Sequence, residues 1–148
     1  MSLIEIFSIL IIHWFADFVL QTEKEAVNKS NSFKYLISHT LSYSIVWLVI
    51  GNFYVLISAF NGIIISPFPL NVLIFWGVTL ISHTITYYFT SRLNKKLVPK
   101  SVHLEFVSSP QEGTFYPKGS KWHNFFVGIG FDQLLHYFQL FITYYLLK

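Results

Sequence analysis

A membrane-length apolar run that carries its own imidazole and carboxylate limits this chain more than any other feature. Leu3 to Leu20 is apolar apart from Glu5 and Ser8 near its start and His13 and Asp17, which interrupt it further on; Gln21 follows. His13, Asp17 and Gln21 lie at steps of four, which on a helix puts them on one face, a turn apart. Trp14, Phe15, Phe18, Val19 and Leu20 cover the other face. An ionisable side chain at mid-bilayer costs roughly 2.5–3.5 kcal/mol on insertion scales, so such groups turn inward and find partners. Such a run predicts a helix in a bundle whose interior is polar.

The rest of the chain repeats the pattern. Apolar runs of spanning length cover about 3–20, 35–60, 70–90 and 122–147. Only 11% of the 148 residues are charged, against about 25% in a soluble domain, and 53% are hydrophobic. The expected fold is all-α: a single polytopic domain over 1–148, four transmembrane helices in a bundle. Gly51-Asn52 is a place where the second helix loosens. Between the third and fourth helices lies a long loop, 91–121, in which 102–107 and 114–116 pair as a short hairpin around the turn at Ser109–Gly113. The N-terminus has no basic region and no small-residue cleavage site, so it does not read as a signal peptide.

Charge sets the orientation. The segments 21–34 and 91–121 hold nine of the ten lysines and arginines; only Lys148 lies elsewhere. The positive-inside rule then places both segments in the cytoplasm and both termini outside, in the inner membrane of the cell. The basic residues flank apolar runs, which speaks against nucleic acid as a partner. Membrane lipids are the expected surroundings.

This topology brings His13, Asp17, His39, His83, Asp132 and His136 to similar depth, just inside the cytoplasmic interface. There is no cysteine, so any metal site uses imidazole and carboxylate, a donor set suited to zinc, iron or manganese. These six residues are the candidate ligands. Asp17 and Asp132 are the candidate catalytic carboxylates, one of them available as general base to a metal-acidified water. Gln21, Tyr87 and Gln133 lie beside them as supporting groups. No lysine or arginine falls within a span, so the two aspartates look to histidine, a proton or a metal. Without a ligand, each histidine is an interhelical hydrogen-bonding group. His103 and Glu105, in the hairpin, form a separate and weaker candidate pair, and His123 sits at the interface. The sequence Ile-Ser-His-Thr occurs at 37–40 and 81–84 on spans of opposite direction and reads as chance.

The stretches HWFADFVLQ at 13–21 and DQLLH at 132–136, with His39 and His83 between them, resemble a bacterial and bacteriophage membrane family, domain of unknown function 3307. Nearly the whole chain is covered, with 91–121 the least matched. The family's third span reads His-x-x-x-Asp, and here Tyr87 stands in the aspartate position. The pattern is also distantly similar to membrane-bound proteins described as metal-dependent hydrolases. Three functions follow as alternatives. The first is an integral membrane metal-dependent hydrolase acting on a lipid or other amphiphile. The second is a small homo-oligomeric proton-linked transporter or channel. The third is a non-enzymatic interaction protein, such as a phage-encoded modulator of a host envelope protein, that binds a membrane protein through 91–121.

Overall fold

The computed structural model describes residues 1–60, 68–97 and 121–147. The predicted hairpin, the His103/Glu105 pair and most of the proposed partner-binding loop lie outside the described residues. Among the described residues the chain is helical, with no strand.

Ser2 starts the first helix. Its hydroxyl accepts from the Glu5 N–H at 3.2 Å, and the Glu5 carboxylate accepts from the Ser2 N–H at 2.6 Å. This reciprocal cap satisfies two otherwise orphaned donors. Helix α1 runs Leu3–Trp14 and passes directly into a π-helical turn, Phe15–Val19. There the Leu20 N–H bonds back five residues to the Phe15 carbonyl, at 3.1 Å. Such wide turns inside helices occur disproportionately at functional sites. This one carries Asp17, so the regular α spacing expected from His13 to Gln21 does not hold throughout.

A second cap, Thr22 with Glu25, opens the short helix α2, Glu23–Asn28. The polar linker is therefore partly helical. Three long helices follow: α3 Phe33–Phe60, α4 Phe68–Leu97 and α5 Lys121–Leu147. Helix α3 runs unbroken through Gly51 and Asn52. Helix α4 continues seven residues beyond the expected end at Thr90, so 91–97 is helix and not loop. Nothing between Ser91 and Leu97 breaks a helix. Lys95 and Lys96 lie in its last turn, where cations favour the helix dipole. It ends two residues before Pro99, the first residue that cannot continue it.

Three helices are long and apolar enough to cross a membrane, over Phe33–Ile57, Leu70–Leu97 and His123–Leu147. The exterior is apolar: Leu3, Phe7, Ile11, Phe53, Leu56, Ile81, Phe89, Leu134 and Phe138 are all exposed. Polar side chains share the interior with apolar ones such as Ile9, Leu36, Trp47 and Leu140; among the polar are His13, Asp17, His39, Thr40, Ser44, Thr79, His83 and His136. That is the reverse of a water-soluble domain, where large apolar patches are rare and buried charges rarer. At the end of the bundle holding the N-terminus, Tyr144 donates to Glu5 at 2.8 Å and Asn71 to the Leu147 carbonyl at 3.2 Å. These bonds tie α5 to α1 and to α4.

Candidate metal centre

Each of four helical segments contributes one buried histidine to a common interior. His13 comes from α1, His39 from α3, His83 from α4 and His136 from α5. Ring centroids lie 4.1 Å apart for His83 and His136, 5.5 Å for His39 and His83, and 5.7 Å for His13 and His136. Asp17 enters this cluster from the π turn. Its Oδ1 is 3.1 Å from His39 Nε2 and 3.6 Å from His83 Nε2. All three side chains are buried.

Hydrogen bonding separates the six candidate ligands. A carboxylate only accepts, so the Gln133 NH2 faces Asp17 Oδ2, at 2.9 Å. The Gln133 carbonyl then accepts from His13 Nε2 at 2.7 Å, and His13 Nδ1 accepts from the Tyr43 hydroxyl at 2.7 Å. Both nitrogens of His13 are thereby used, and it serves as a brace between α3 and α5. His39 Nδ1 is 3.0 Å from the Gln21 amide nitrogen, which donates to it. The proton of His39 therefore sits on Nε2 and points at Asp17. If the Gln21 amide turns over, its carbonyl faces Nδ1 instead, so this one side chain suits either tautomer.

His83 and His136 differ from the other two. Among the described residues, neither ring nitrogen of either residue has a hydrogen-bond partner, and all four atoms are buried. A buried polar group left unpaired costs about 1–3 kcal/mol, so each is a site that wants a ligand. Ligand atoms of Asp17, His39 and His83 all lie within 4.8 Å of one another. Tetrahedral bonds of about 2.0–2.1 Å place ligand atoms roughly 3.3 Å apart, close to the 3.1 and 3.6 Å separations here. These residues fit a divalent cation, and the unpartnered His83 nitrogens are the observation that favours one.

Asp132 stands one step away. It is bonded to the Thr90 hydroxyl, lies 3.4 Å from Gln133 Nε2, and is 3.8 Å from His136 Nε2. Gln133 thus links both aspartates. Tyr87 donates to both oxygens of Asp17 at 2.9 Å each, so it binds the carboxylate directly. The two Ile-Ser-His-Thr copies meet across α3 and α4. Thr84 donates to Thr40 at 3.0 Å, and Tyr43 stacks flat on His83 at 3.7 Å. The copies extend to Ile37–Tyr43 and Ile81–Tyr87, and each ends in the tyrosine one turn past its histidine.

One residue of the site was not expected from the sequence. Lys29, in the linker, reaches back over the bundle and places its ammonium 3.7 Å from the centre of the Tyr87 ring. It lies in the field of Asp17, Asp132 and Glu25. A cation does therefore approach the aspartates, from outside the spans. Burial lowers the Lys29 pKa, and the three carboxylates offset this only in part. Glu25 anchors the helix that carries the linker. Its carboxylate accepts from Ser38 at 2.6 Å and from the Thr22 hydroxyl and N–H at 2.8 and 2.9 Å. Burial pushes its pKa up, but these bonds push harder and hold it below the usual glutamate value. The sequence signal was Thr22-x-x-Glu25, a capping box that predicts a helix and turns Lys29 back toward α4.

The chain matches no family model, no curated protein and no solved structure.

Proposed function

We propose that the chain is a membrane-embedded, metal-dependent hydrolase of a lipid or amphiphile, with Asp17, His39 and His83 as the ligands of a divalent cation. The observation that carries this reading is the geometry of Asp17 Oδ1 against two buried imidazoles, one of them with no hydrogen-bond partner among the described residues. His136 is the nearest further imidazole. A bound zinc, iron or manganese would supply a Lewis acid and an acidified water. The chain's own groups do the rest. Tyr87 and Gln133 hold the Asp17 carboxylate in place, and Gln21 sets the proton of His39. Asp132, next to the cluster and bonded to a hydroxyl, is the group that takes up a proton from water.

The same reading makes α1 with its π turn a fourth crossing, with both termini outside the inner membrane. The outward Leu3, Phe7, Ile11 and Phe18 support it, as does the concentration of basic residues on one side. Membership of the domain of unknown function 3307 family belongs to this proposal too.

A proton-linked transporter is the second reading. Its supporting observation is a continuous chain of bonds from Tyr43 through His13 and Gln133 to Asp17. An amide in the middle of that chain passes no proton while its NH2 faces a carboxylate, which favours the hydrolase.

Elemental analysis of detergent-purified protein, beside Asp17→Asn and His83→Gln variants, tests the proposal. Near-stoichiometric metal that is lost in both variants is the expected result. A folded wild type that takes up no zinc, iron or manganese on addition would end the reading.

A further inference from the structure

A cavity of about 220 Å³ lies between α4 and α5. Its lining runs from Thr90 to Leu97 on α4 and from Asn124 to Phe131 on α5. That is seven residues on each helix, so the cavity is about 10 Å long. Its outer end lies where α4 finishes and α5 begins, close to the exposed Lys95 and Lys96. Two charges there keep that end of the bundle in water. At about 30 Å³ for each water molecule, the cavity has room for several. Leu93 and Phe131 are both 49% exposed and form its apolar outer wall.

The inner wall is polar and follows a pattern. Asn124, Gly128, Asp132 and His136 stand at steps of four, on one face of α5. Thr90 and Asn94 stand one turn apart on α4. Gly128 has no side chain, and the Asn94 amide takes that place: a Cβ there would meet Asn94 Oδ1 at 2.0 Å. Exposure falls along this line. Asn94 and Asn124 are half-buried, Thr90 and Asp132 are buried, and His136 has no exposed surface.

The cavity itself ends at Thr90, and side chains continue the line from there. The Thr90 hydroxyl donates to Asp132 Oδ1. The same oxygen is 3.8 Å from His136 Nε2, and the His136 ring lies 4.1 Å from that of His83, centre to centre. Two metal bonds of about 2.0–2.2 Å bridge such a gap, so Asp132 and His136 can hold one cation between them. Amide and hydroxyl oxygens come first, then a carboxylate, then imidazole. Oxygen donors stand in for a cation's water shell, and imidazole then binds zinc, iron or manganese.

We propose that the α4–α5 cavity is an aqueous vestibule of the metal centre, and that Asp132 and His136 pass a divalent cation from it to the Asp17, His39 and His83 cluster. This rests on the cation-site reading above and adds the route by which that site is filled. Three buried ligands need such a route. Asp132 then has two uses in turn: it receives the cation on entry and is free afterwards to take up the proton.

The test uses the full chain in nanodiscs. The chain has no cysteine, so one introduced cysteine reports on its own position. Thr90→Cys, Asn94→Cys and Phe89→Cys are treated, in chelator, with a permanently charged methanethiosulfonate. Phe89 neighbours Thr90 in depth but is 66% exposed on the apolar outside. Thr90→Cys and Asn94→Cys should label, and Phe89→Cys should not. Zinc uptake and release are then followed with a fluorescent chelator in wild type, Asp132→Asn and Gly128→Leu. Asp132→Asn should slow both about tenfold with affinity unchanged, the loss of one charge-assisted contact at the barrier. Gly128→Leu, which drives the Asn94 amide aside and fills the cavity, should slow both as well. Thr90→Cys that labels no faster than Phe89→Cys overturns the vestibule, and zinc bound by the same protein leaves the cation site standing. Wild-type rates in Asp132→Asn overturn the route through Asp132. Weaker binding through faster release overturns it too, and makes Asp132 a permanent ligand. Protein that labels at Thr90 and Asn94 yet takes up no zinc ends the cation site, and the cation route with it.

Discussion

The Tyr87 hydroxyl donates to both oxygens of Asp17, at 2.9 Å each, across seventy residues of sequence. One of them, Oδ1, faces both His39 and His83, and Oδ2 faces Gln133, so Tyr87 fixes the plane of the carboxylate they share. It also presents its ring to Lys29. Tyr87→Phe keeps the ring and removes the donor. We expect folded protein with zinc affinity lowered about 10–100-fold, the usual cost of losing a partner behind a ligand. Competition against a chelator of known affinity measures it. Unchanged affinity would mean that Tyr87 only fills space.

Gln133 bonds His13, Asp17 and Asp132 with one amide. Gln133→Leu keeps much of the volume and strips all three partners. Leaving buried polar groups unpaired costs about 1–3 kcal/mol for each group so exposed to an apolar site. Thermal unfolding in detergent should shift to lower temperature by several degrees. Gln133→Glu is the sharper comparison. It places a second carboxylate against Asp17 and should be worse than leucine unless metal is added. A Gln133→Glu protein as stable as wild type in chelator would contradict the bonding described for His13 and Asp17.

Much of this centre was legible in the sequence because a membrane leaves ionisable groups little choice. His13, Asp17, His39, His83, Asp132 and His136 stood at one depth in apolar runs, and the fold brings them together. Lys29 was not legible. It lies nine residues beyond the run that ends at Leu20, and only its long stem and the capped helix before it bring it to Tyr87. The π turn at Phe15–Val19 was hidden for another reason: a change of hydrogen-bond register leaves the apolar pattern nearly intact. His13 reads like any other ligand candidate until the polarity of the Gln133 amide is known, and that is set by a residue 120 positions away. The end of α4 was misplaced because charge was read as loop, whereas lysines in a last turn favour helix.

Glu25 gives stability a pH dependence with a definite sign. Its folded-state pKa lies below the ordinary value of 4.5 because Ser38 and Thr22 donate to the carboxylate. A depressed acid stabilises the fold above its unfolded pKa and loses that contribution as pH falls through the folded value. Stability of wild type should therefore drop as pH is lowered from about 4.5. Glu25→Gln should be less stable at neutral pH and flatter in that window. Parallel unfolding curves for the two proteins across the acid range would remove Glu25 as the anchor of the linker over the centre.

Gly51 tests the helix pair that carries His39 and His83. A Cβ at this position would meet Val72 Cγ1 at 2.8 Å and Cγ2 at 3.2 Å. Small residues let membrane helices approach closely, and α3 and α4 use one here. Gly51 lies twelve residues beyond His39, toward the end of α3 away from the centre. Gly51→Ala puts a Cβ too close to Val72, whose branched side chain has little freedom to move, so a modest loss is expected. Gly51→Leu forces the helices apart at that end, and overpacking of this kind costs about 1–3 kcal/mol. Helices are stiff over three turns, so splaying at Gly51 is felt at Thr40 and Thr84, whose hydroxyls bond at 3.0 Å. We expect Gly51→Leu to lower thermal stability and to weaken zinc binding together, with Gly51→Ala between it and wild type in both. Loss of stability with zinc affinity intact would show that the two ends of the α3–α4 pair move independently.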